Sequence, residues 1–305
     1  MADITVIGGI NIDIEGCPRK TLVPSDSNPG DIAISFGGVG RNIVENAARL
    51  GADIAMISLI GDDFLGKDAR DHLAELGVDV SGIVHVDSCS TGMYLSILNH
   101  ENDMAVAICN MDILERMTPG FLEDKLESLS LSKIVGVDCN LDYETLEYIT
   151  RRLQAPLFLD PVSASKAARV KPIIGRFHTI KPNRIEAELL SGVKIRDDVS
   201  LRQAGAWFCD QGVRRVFISL GERGAYYRDD SGEGVVEARQ VELVSATGAG
   251  DAFSAAILLG HIKGKRAEET AKLGIACASM ALGVKTAVNQ SICWDVVVCR
   301  MKNKR

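Results

Sequence analysis

The sequence is poor in aromatic residues, proline and basic charge, and each shortage excludes a class of protein. Aromatic residues make up only 5% of the 305 residues, whereas hydrophobic residues reach 46%, so aliphatic side chains must form the core. The chain has only 8 prolines, and its 29 glycines follow no three-residue period, which excludes collagen. A formal net charge of −7 argues against nucleic acid or an anionic membrane surface as a partner.

Long apolar runs and paired cysteine motifs are also missing. No apolar stretch reaches about 18 residues, so we expect no membrane span. The first residues lack the basic and apolar regions of a secretory signal. None of the eight cysteines has CxxC spacing, and Cys109, Cys139 and Cys277 lie inside apolar runs. These features predict buried, reduced thiols and a cytoplasmic protein.

Short runs rich in valine and isoleucine alternate with segments of helical period along the chain. This order is typical of a mainly parallel sheet with helices on both faces. The predicted strands are 4–7, 54–60, 134–137, 157–159, 179–180 and 216–220. The predicted helices are 42–50, 66–76, about 142–153, 184–190, 199–210, 249–262 and 266–282. We therefore expect an α/β fold that forms a single domain over residues 1–305.

Two segments, about 12–36 and 93–110, break this alternation. The first contains prolines and then alternating polar and apolar residues, and the second has the pattern of a β-hairpin with a polar loop at 99–103. Such strands do not easily join a parallel sheet between helices. We predict that both segments form a small separate β element that could cover a site as a lid. The alternative is two surface hairpins with no such role.

The strongest chemical signal is the segment 245–253, Ser-Ala-Thr-Gly-Ala-Gly-Asp-Ala-Phe, which opens an apolar helix. Gly248 and Gly250 allow a ligand to approach the backbone, and the first N–H groups of a helix attract an anion. A carboxylate beside a phosphate is unfavourable unless it accepts a proton from an attacking hydroxyl. Asp251 suits that role. Alternatively, Asp251 is a residue favoured at a helix start, next to two turn-forming glycines.

Three further segments place polar residues at predicted strand ends or helix starts. The glycine-rich segment 36–42 precedes a helix and could contact substrate hydroxyls, or it could be a tight turn. Asn183 and Glu186 have the spacing of a capping box, and could equally hold magnesium-bound water. Asn11 and Asp13 follow the first strand, where ligands bind in parallel sheets, although a turn would also explain them.

These four segments, in this order, resemble the PfkB family of carbohydrate kinases, also called the ribokinase family, over nearly the whole chain. Gly-Gly-x-Gly-x-Asn at 37–42 and Thr-Gly-Ala-Gly-Asp at 247–251 are similar to its two signatures. Asn183-x-x-Glu186 resembles its magnesium and phosphate motif, and 219–224 its nucleotide-binding turn. The resemblance implies a ribokinase-like three-layer α/β/α fold with a small β-sheet lid.

The resemblance also implies roles for individual residues. Asp251 would be the base, and the N–H groups of Gly248, Ala249 and Gly250 would stabilise the transferring phosphoryl group. Sugar hydroxyls would contact Asn11, Asp13, Gly38 and Asn42, and Lys166 would lie on the substrate or phosphate side unless it is a solvated lysine. The nucleotide would contact Asn183, Ser219, Gly221, Gly224 and Thr247, with Ala278 and Asn289 near the adenine. Glu186, with Asn183, would hold Mg²⁺ through water, and ATP would be the donor.

Finer features at 26–30, 94–96, 110–113 and 160–166 resemble family members that phosphorylate the 5′-hydroxyl of the nucleoside pseudouridine. Ribose, fructose and purine nucleosides are the alternative acceptors.

Many members have an Asp two residues before the Thr of the last signature, where it helps to hold a monovalent cation. Ser245 stands there in this chain, which leaves potassium dependence open. Lids of this family often pair in dimers, so the chain is expected to be either such a homodimer or a monomer.

Two other classes of function are alternatives to a kinase. One is a nucleotide-binding protein without catalysis, which the complete 247–251 segment disfavours. The other is a dinucleotide-binding oxidoreductase, which the absence of GxGxxG after the first strand disfavours.

Overall fold

The protein, described by a computed structural model over residues 2–101 and 103–302, contains two β-sheets. The large sheet is formed by β1 (Ile4–Ile7), β4 (Ile54–Gly61), β5 (Asp79–Val86), β8 (Ile134–Asp138), β9 (Leu157–Asp160), β10 (Thr179–Ile180), β11 (Arg215–Ser219), β12 (Ala225–Asp229) and β13 (Gly232–Val236). The small sheet is formed by β2 (Asn11–Pro18), β3 (Gly30–Gly37), β6 (Gly92–Leu98) and β7 (Met104–Asn110).

The strand order of the large sheet is β13-β12-β11-β10-β9-β8-β1-β4-β5. Its pairs are parallel from β5 to β11, and the two pairs that β12 forms with β11 and β13, at one edge, are antiparallel. The carboxyl ends of the parallel strands therefore lie along one edge of the sheet, and their amino ends along the other.

Helices cover both faces of the large sheet. They are α1 (Val39–Arg49), α2 (Phe64–Glu75), α3 (Pro119–Glu123), α4 (Leu126–Ser130), α5 (Tyr143–Arg152), α6 (Ala164–Val170), α7 (Arg184–Ser191), α8 (Asp198–Asp210), α9 (Ala249–Ile262), α10 (Ala267–Ala281) and α11 (Trp294–Lys302). Successive strand residues point to opposite faces. Phe217 accordingly packs with α9 and α10, whereas Val216 and Ile218 pack with α7 and α8. One buried core lies on each face.

The small sheet has the order β3-β2-β6-β7, with β2 and β6 parallel and the other pairs antiparallel. The register places Asn11, Asp13, Ser35, Tyr94 and Ser96 on one face. The opposite face carries apolar side chains, namely Ile14, Ile32, Ile34, Leu95, Ile97, Val106 and Ile108. One face is thus polar and the other apolar. Asn102, in the predicted polar loop, lies outside the described residues.

The predicted α/β architecture with a separate smaller sheet is confirmed, but several details differ. Helix α1 begins at Val39 and not at residue 42, because Gly38 has φ 97° and turns the chain directly into the helix. Strands β5, β12 and β13 were not predicted. Cys139 and Cys277 are buried as expected, whereas the prediction was wrong for Cys109, which is exposed on the edge strand β7.

Within 2–101 and 103–302, none of the helices combines the length and the apolar character needed to cross a bilayer.

Candidate active site

Polar and charged residues collect at the carboxyl-terminal edge of the large sheet. Gly8 and Gly9 follow β1, while Asp138 and Asp160 end β8 and β9. Lys181 follows β10, and Ser219 ends β11. This edge is where ligands bind in open parallel sheets.

The carboxylate of Asp138 joins two glycine-rich loops at this edge. Its Oδ2 accepts hydrogen bonds from the N–H groups of Gly9 (3.2 Å) and Gly40 (3.0 Å), and its Oδ1 accepts one from Asn140 (2.8 Å). The loops touch directly, because a Cβ on Gly40 would lie 2.8 Å from the Cα of Gly8. Asp138 is fully buried, and this burial raises the pKa of its carboxyl group.

Helix α9 begins with an uncapped N-terminus. Gly248, the residue before the helix, has φ 79°, and no side chain among residues 2–101 and 103–302 caps the first N–H groups. A Cβ on Gly248 would lie 1.8 Å from the carbonyl oxygen of Ala287, so only glycine fits there. The first turn therefore keeps N–H donors and a positive dipole end for an anion.

Asp251 lies in the first turn of α9 and is half-buried. Its Oδ2 accepts a hydrogen bond of 2.8 Å from Nδ2 of Asn42, so two of the segments found in the sequence meet here. Desolvation, followed by repulsion from Asp160, raises the pKa of Asp251 to about 7, although Asn42 and Lys181 act in the opposite direction. A carboxylate with such a pKa is suited to accept a proton near neutral pH.

Asn42 is itself held by Arg41. Nη1 of Arg41 donates to Oδ1 of Asn42 at 2.7 Å and to the carbonyl oxygen of Phe36 at 2.8 Å. Nη2 of Arg41 forms a short ion pair with Glu45, and both residues are buried. Because Oδ1 of Asn42 is engaged by Arg41, its Nδ2 is directed towards Asp251.

Lys181 supplies a buried positive charge next to α9. Its Nζ lies 3.2 Å from Oδ2 of Asp160 and 3.5 Å from the position that a Cβ on Gly250 would take. Burial alone would lower the pKa of Lys181, but the nearby carboxylates, above all Asp160 and Glu186, raise it. Lys181 therefore stays protonated beside the uncapped helix start.

Asn183 and Glu186 form the capping box of α7. Oδ1 of Asn183 accepts from the N–H of Glu186 at 2.9 Å, and the Glu186 carboxylate accepts from the N–H and Nδ2 of Asn183, both at 2.8 Å. Glu186 is buried, and desolvation raises its pKa. Over 2–101 and 103–302, no three His, Cys, Asp or Glu side chains gather as metal ligands. A single carboxylate fits Mg²⁺ that is bound mainly by water and phosphate oxygens.

Asn11 and Asp13 are neighbours on the polar face of the small sheet. Nδ2 of Asn11 donates to Oδ1 of Asp13 at 2.6 Å, and burial raises the pKa of Asp13. A Cβ on Gly37 would lie 2.4 Å from Oδ2 of Asp13, and a Cβ on Gly38 would lie 2.3 Å from the carbonyl oxygen of Gly9. The glycines thus let β3 and the start of α1 pass close to these side chains.

Lys166, on α6, donates from Nζ to Oδ1 of Asn140 at 2.5 Å and is half-buried. Asn140 lies two residues after Asp138, so Lys166 is held at the carboxyl edge of β8 and β9.

The residues considered for nucleotide binding lie along the same edge. Ser219 pairs with Asn183 in a parallel bridge, and the turn that follows contains Gly221 (φ 61°) and Gly224 (φ 95°). Thr247 is exposed just before α9, and its N–H donates to Oγ of Ser245 at 3.2 Å.

A cavity of about 530 Å³ opens between the segment 239–244 and α10. Asn289 lines it and donates to the carbonyl oxygen of Met280 at 2.8 Å. Ala278, two residues before Met280 on α10, is half-buried and is not part of the lining.

Four residues at this site, Arg41, Asp138, Asp160 and Lys181, were not assigned a role from the sequence. The sequence did contain an indication for Asp138 and Asp160, because each ends an otherwise apolar strand. A carboxylate is rarely buried unless it has a hydrogen-bonding or charged partner, so these positions suggest a specific role. Lys181 directly precedes the Asn183 motif. Arg41 lies inside the glycine-rich segment, where nothing local distinguishes it from a solvated arginine.

Comparison with known proteins assigns this arrangement to one family. The profile of the pfkB family of carbohydrate kinases matches residues 1–292. The pseudouridine kinase of Escherichia coli K12 is 35% identical over 302 residues, covering 98% of this chain and 96% of that protein. The guanosine-inosine kinase of Exiguobacterium acetylicum is 30% identical over 284 residues, covering 92% and 94%.

The fold is also shared with solved structures. The Arabidopsis thaliana ribokinase complexed with ribose and ATP superposes with a TM-score of 0.87 at 21% identity, covering 99% of both chains.

We predict that Asp251→Asn raises the thermal stability of the protein at pH 8. Because the folded state raises the pKa of Asp251 to about 7, it binds this proton more tightly than the unfolded chain does. Stability is therefore lost as pH rises from about 4 to 7, and a neutral Asn avoids that loss. The melting temperature of the variant should exceed that of the wild type by at least roughly 2 °C at pH 8, and the difference should vanish near pH 4.

Asp63→Asn provides the matched control, because hydrogen bonds from Thr91 and Gly66 outweigh burial and lower the pKa of Asp63. This variant should be less stable than the wild type at pH 8. Equal melting temperatures for Asp251→Asn and wild type at pH 8 would contradict the raised pKa.

Proposed function

The chain belongs to the pfkB family of carbohydrate kinases, and on this basis we propose that it transfers a phosphoryl group from ATP to the 5′-hydroxyl of pseudouridine. Transfer of phosphate to a hydroxyl group follows from the family. The observation that carries the chemistry is Asp251, held by Asn42 beside the uncapped start of α9. The nucleoside is supported by the 35% identity to a pseudouridine kinase over nearly the full length of both chains.

Asp251 acts as the general base in this proposal. The hydroxyl to be phosphorylated gives its proton to the Asp251 carboxylate as its oxygen attacks phosphorus. A carboxylate with a pKa of about 7 is ionised in a large fraction of molecules at neutral pH, and it is a stronger base than an ordinary aspartate.

The N–H groups of Gly248, Ala249 and Gly250 stabilise the charge that develops on the transferring group. They belong to the uncapped first turn of α9, and Lys181 adds a full positive charge nearby. Donors fixed before the reaction stabilise a transition state without having to reorganise.

Glu186, supported by Asn183, would hold Mg²⁺ through water. When bound, the ion neutralises charge on the nucleotide phosphates. The Glu186 carboxylate is buried near Lys181, and it is kept in one orientation by the capping box, so it is ready to accept hydrogen bonds from ordered water.

Asn11, Asp13, Gly38 and Asn42 bind the ribose hydroxyls in this proposal. Asn11 and Asp13 lie on the polar face of the small sheet, which acts as a lid and excludes water from the phosphoryl group. Lys166 lies near the same edge and would contact the substrate or its phosphate.

ATP lies along the ends of β10 and β11. Ser219, Gly221, Gly224 and Thr247 line its phosphates, and the cavity beside Asn289, with Ala278 on the neighbouring helix, takes the adenine. The ribokinase of Arabidopsis, which has the same fold, was solved with ATP and ribose. We also propose the cytoplasm as the site of action, where ATP and free nucleosides are available.

We expect Asp251→Asn to lower kcat by roughly 10²- to 10⁴-fold while KM stays close to the wild-type value, because Asn retains the hydrogen bond to Asn42 but accepts no proton. Steady-state kinetics between pH 5.5 and 9 should show kcat of the wild type rising through about pH 7. The residual activity of the variant should lack this rise. Asp3→Asn, directly before β1 and so at the amino-terminal edge of the sheet, serves as a control and should keep full activity. A near-normal kcat for Asp251→Asn would exclude the base role.

The acceptor is tested by comparing kcat/KM for pseudouridine, uridine, ribose, fructose, guanosine and inosine in one ATP-dependent assay. We expect pseudouridine to exceed each of the others by at least roughly tenfold, about 1.4 kcal/mol of transition-state binding. The second candidate is a purine nucleoside kinase, favoured by the 30% identity to a guanosine-inosine kinase. A clear preference for guanosine or inosine would replace pseudouridine by that substrate and leave the kinase chemistry intact.

We further propose that the lids of two chains pair in a homodimer. Ile32, Ile34, Val106 and Ile108, on the apolar face of the small sheet, are each more than half exposed. The same face carries a groove of about 400 Å³ lined by apolar residues, among them Ile14, Leu95 and Ile97. An exposed apolar surface of this kind marks an association site, and a second copy presents the same surface.

Light scattering after size exclusion should give twice the chain mass of 32.8 kDa for the wild type. Ile32→Glu combined with Ile108→Glu should give a monomer, because buried charges without partners prevent the contact. Leu131→Glu, at a similarly exposed apolar residue outside the small sheet, should remain a dimer. A monomeric wild type at micromolar concentration would exclude the dimer.

A further inference from the structure

A second cavity, of about 740 Å³, lies at the amino-terminal edge of the large sheet, opposite the candidate active site. It is bounded by the starts of β10 and β11, the end of the antiparallel strand β12, and the connection between α9 and α10. None of the residues assigned to the kinase reaction lines it. Its volume lies within the range of small-molecule sites.

The lining of this cavity carries more cations than carboxylates, although the whole chain is acidic. Five cations line it: Arg214, Arg215, Arg228, Lys265 and Arg266. The carboxylates in the lining belong to Asp229 and Asp230. Asp229 is already engaged, because its Oδ2 accepts from the N–H of Ala267 at 2.7 Å and its Oδ1 from Ser231. An excess of like charges around one cavity is unfavourable until an anion binds.

Arg215 shows where such an anion would be held. The residue is 8% exposed, and its Nη2 donates to the carbonyl oxygen of Lys265 (2.9 Å) and to Oγ1 of Thr270 (3.1 Å). Its buried Nε has no hydrogen-bond acceptor among the described residues, and the nearest carboxylate oxygen, on Asp229, is 3.9 Å away. A buried charged donor without an acceptor is costly, and a negative charge placed beside the Arg215 guanidinium would offset that cost.

Two histidines in the lining respond to the same positive charge. The rings of His178 and His261 pack edge to face, with 5.1 Å between their centroids. Burial, followed by the charges of His261, Arg215 and Arg214, lowers the pKa of His178 to about 4. Burial and Arg215 also lower the pKa of His261. Carboxylates outside the lining neutralise part of the cationic charge: Glu233 pairs with Arg228 at 2.8 Å, and Glu269 lies 3.8 Å from Lys265 and 3.9 Å from Arg266. Arg214 has no ion pair among residues 2–101 and 103–302, so the lining keeps uncompensated positive charge.

We propose that this cavity binds a phosphate group, carried either by inorganic phosphate or by a small phosphorylated metabolite. Phosphate has a charge between −1 and −2 near neutral pH and several acceptor oxygens, which matches a group of arginines with one unsatisfied donor. The site is separate from the proposed kinase centre and does not depend on its substrate.

Histidine-selective NMR of the full-length protein tests the site directly, because His178 reports on the cavity and not on the active site. Inorganic phosphate, added at pH 6 and constant ionic strength, should shift the His178 resonances saturably and raise the pKa of His178 by more than one unit. Ribose 5-phosphate is the second probe, and ribose is its uncharged control. Stronger binding of inorganic phosphate identifies the free anion as the ligand, and stronger binding of the sugar phosphate identifies a metabolite.

Arg214→Gln combined with Lys265→Gln should weaken the response at least tenfold. Arg202→Gln, at an exposed arginine of α8 outside the cavity, should leave it unchanged. The proposal is overturned if neither phosphate compound shifts His178 more than sodium chloride does, or if the double variant responds like the wild type. Because no step of the assay uses kinase activity, failure here is distinguishable from failure of the proposed function.

Discussion

The buried carboxylate of Asp138 is the interaction on which the geometry of the site depends. One of its oxygens bonds to the N–H groups of both Gly9 and Gly40, and so joins the end of β1 to the start of α1. Helix α1 then carries Asn42 to its bond with Asp251. The position of Asp251 is therefore fixed by a chain of contacts that begins at Asp138, an ionisable group without contact to solvent.

The site concentrates negative charge, which affects both the pKa of Asp251 and the stability of the folded protein. Burial contributes most to the raised pKa of Asp251, Asp160 and Asp138 raise it further, and Lys181 offsets part of their repulsion. In the proposed mechanism, the carboxylates that raise the pKa of Asp251 would also repel a nucleotide, and the uncapped helix start and Lys181 would offset that repulsion. Functional sites commonly hold such unfavourable arrangements at the expense of stability.

The fold was largely predictable because its signals are local. Strand 4–7 and helix 249–262 follow directly from apolar patterning and agree with the structure at both ends. The site was less predictable because its partners are distant in sequence, as with Asp138 and Gly9, which are 129 residues apart. At Asn183 the two interpretations proved compatible, since the capping box is present and is also what orients the carboxylate proposed to hold water. The ion pair between Asp160 and Lys181 could not be predicted, because it depends on β9 and β10 being neighbours in the sheet.

Helix α9 runs from the carboxyl-terminal edge of the large sheet to its amino-terminal edge and moves as one rigid element. It carries Asp251 in its first turn and His261 in its last, and residues 252–260 are continuously buried, so the packed core prevents it from bending. Fourteen residues at 1.5 Å each give a length of roughly 20 Å, and a tilt of about 3° moves one end by roughly 1 Å. Displacements of this size are enough to change a reaction rate substantially. A tilt of the helix at the amino-terminal edge of the sheet would therefore displace Asp251 at the carboxyl-terminal edge.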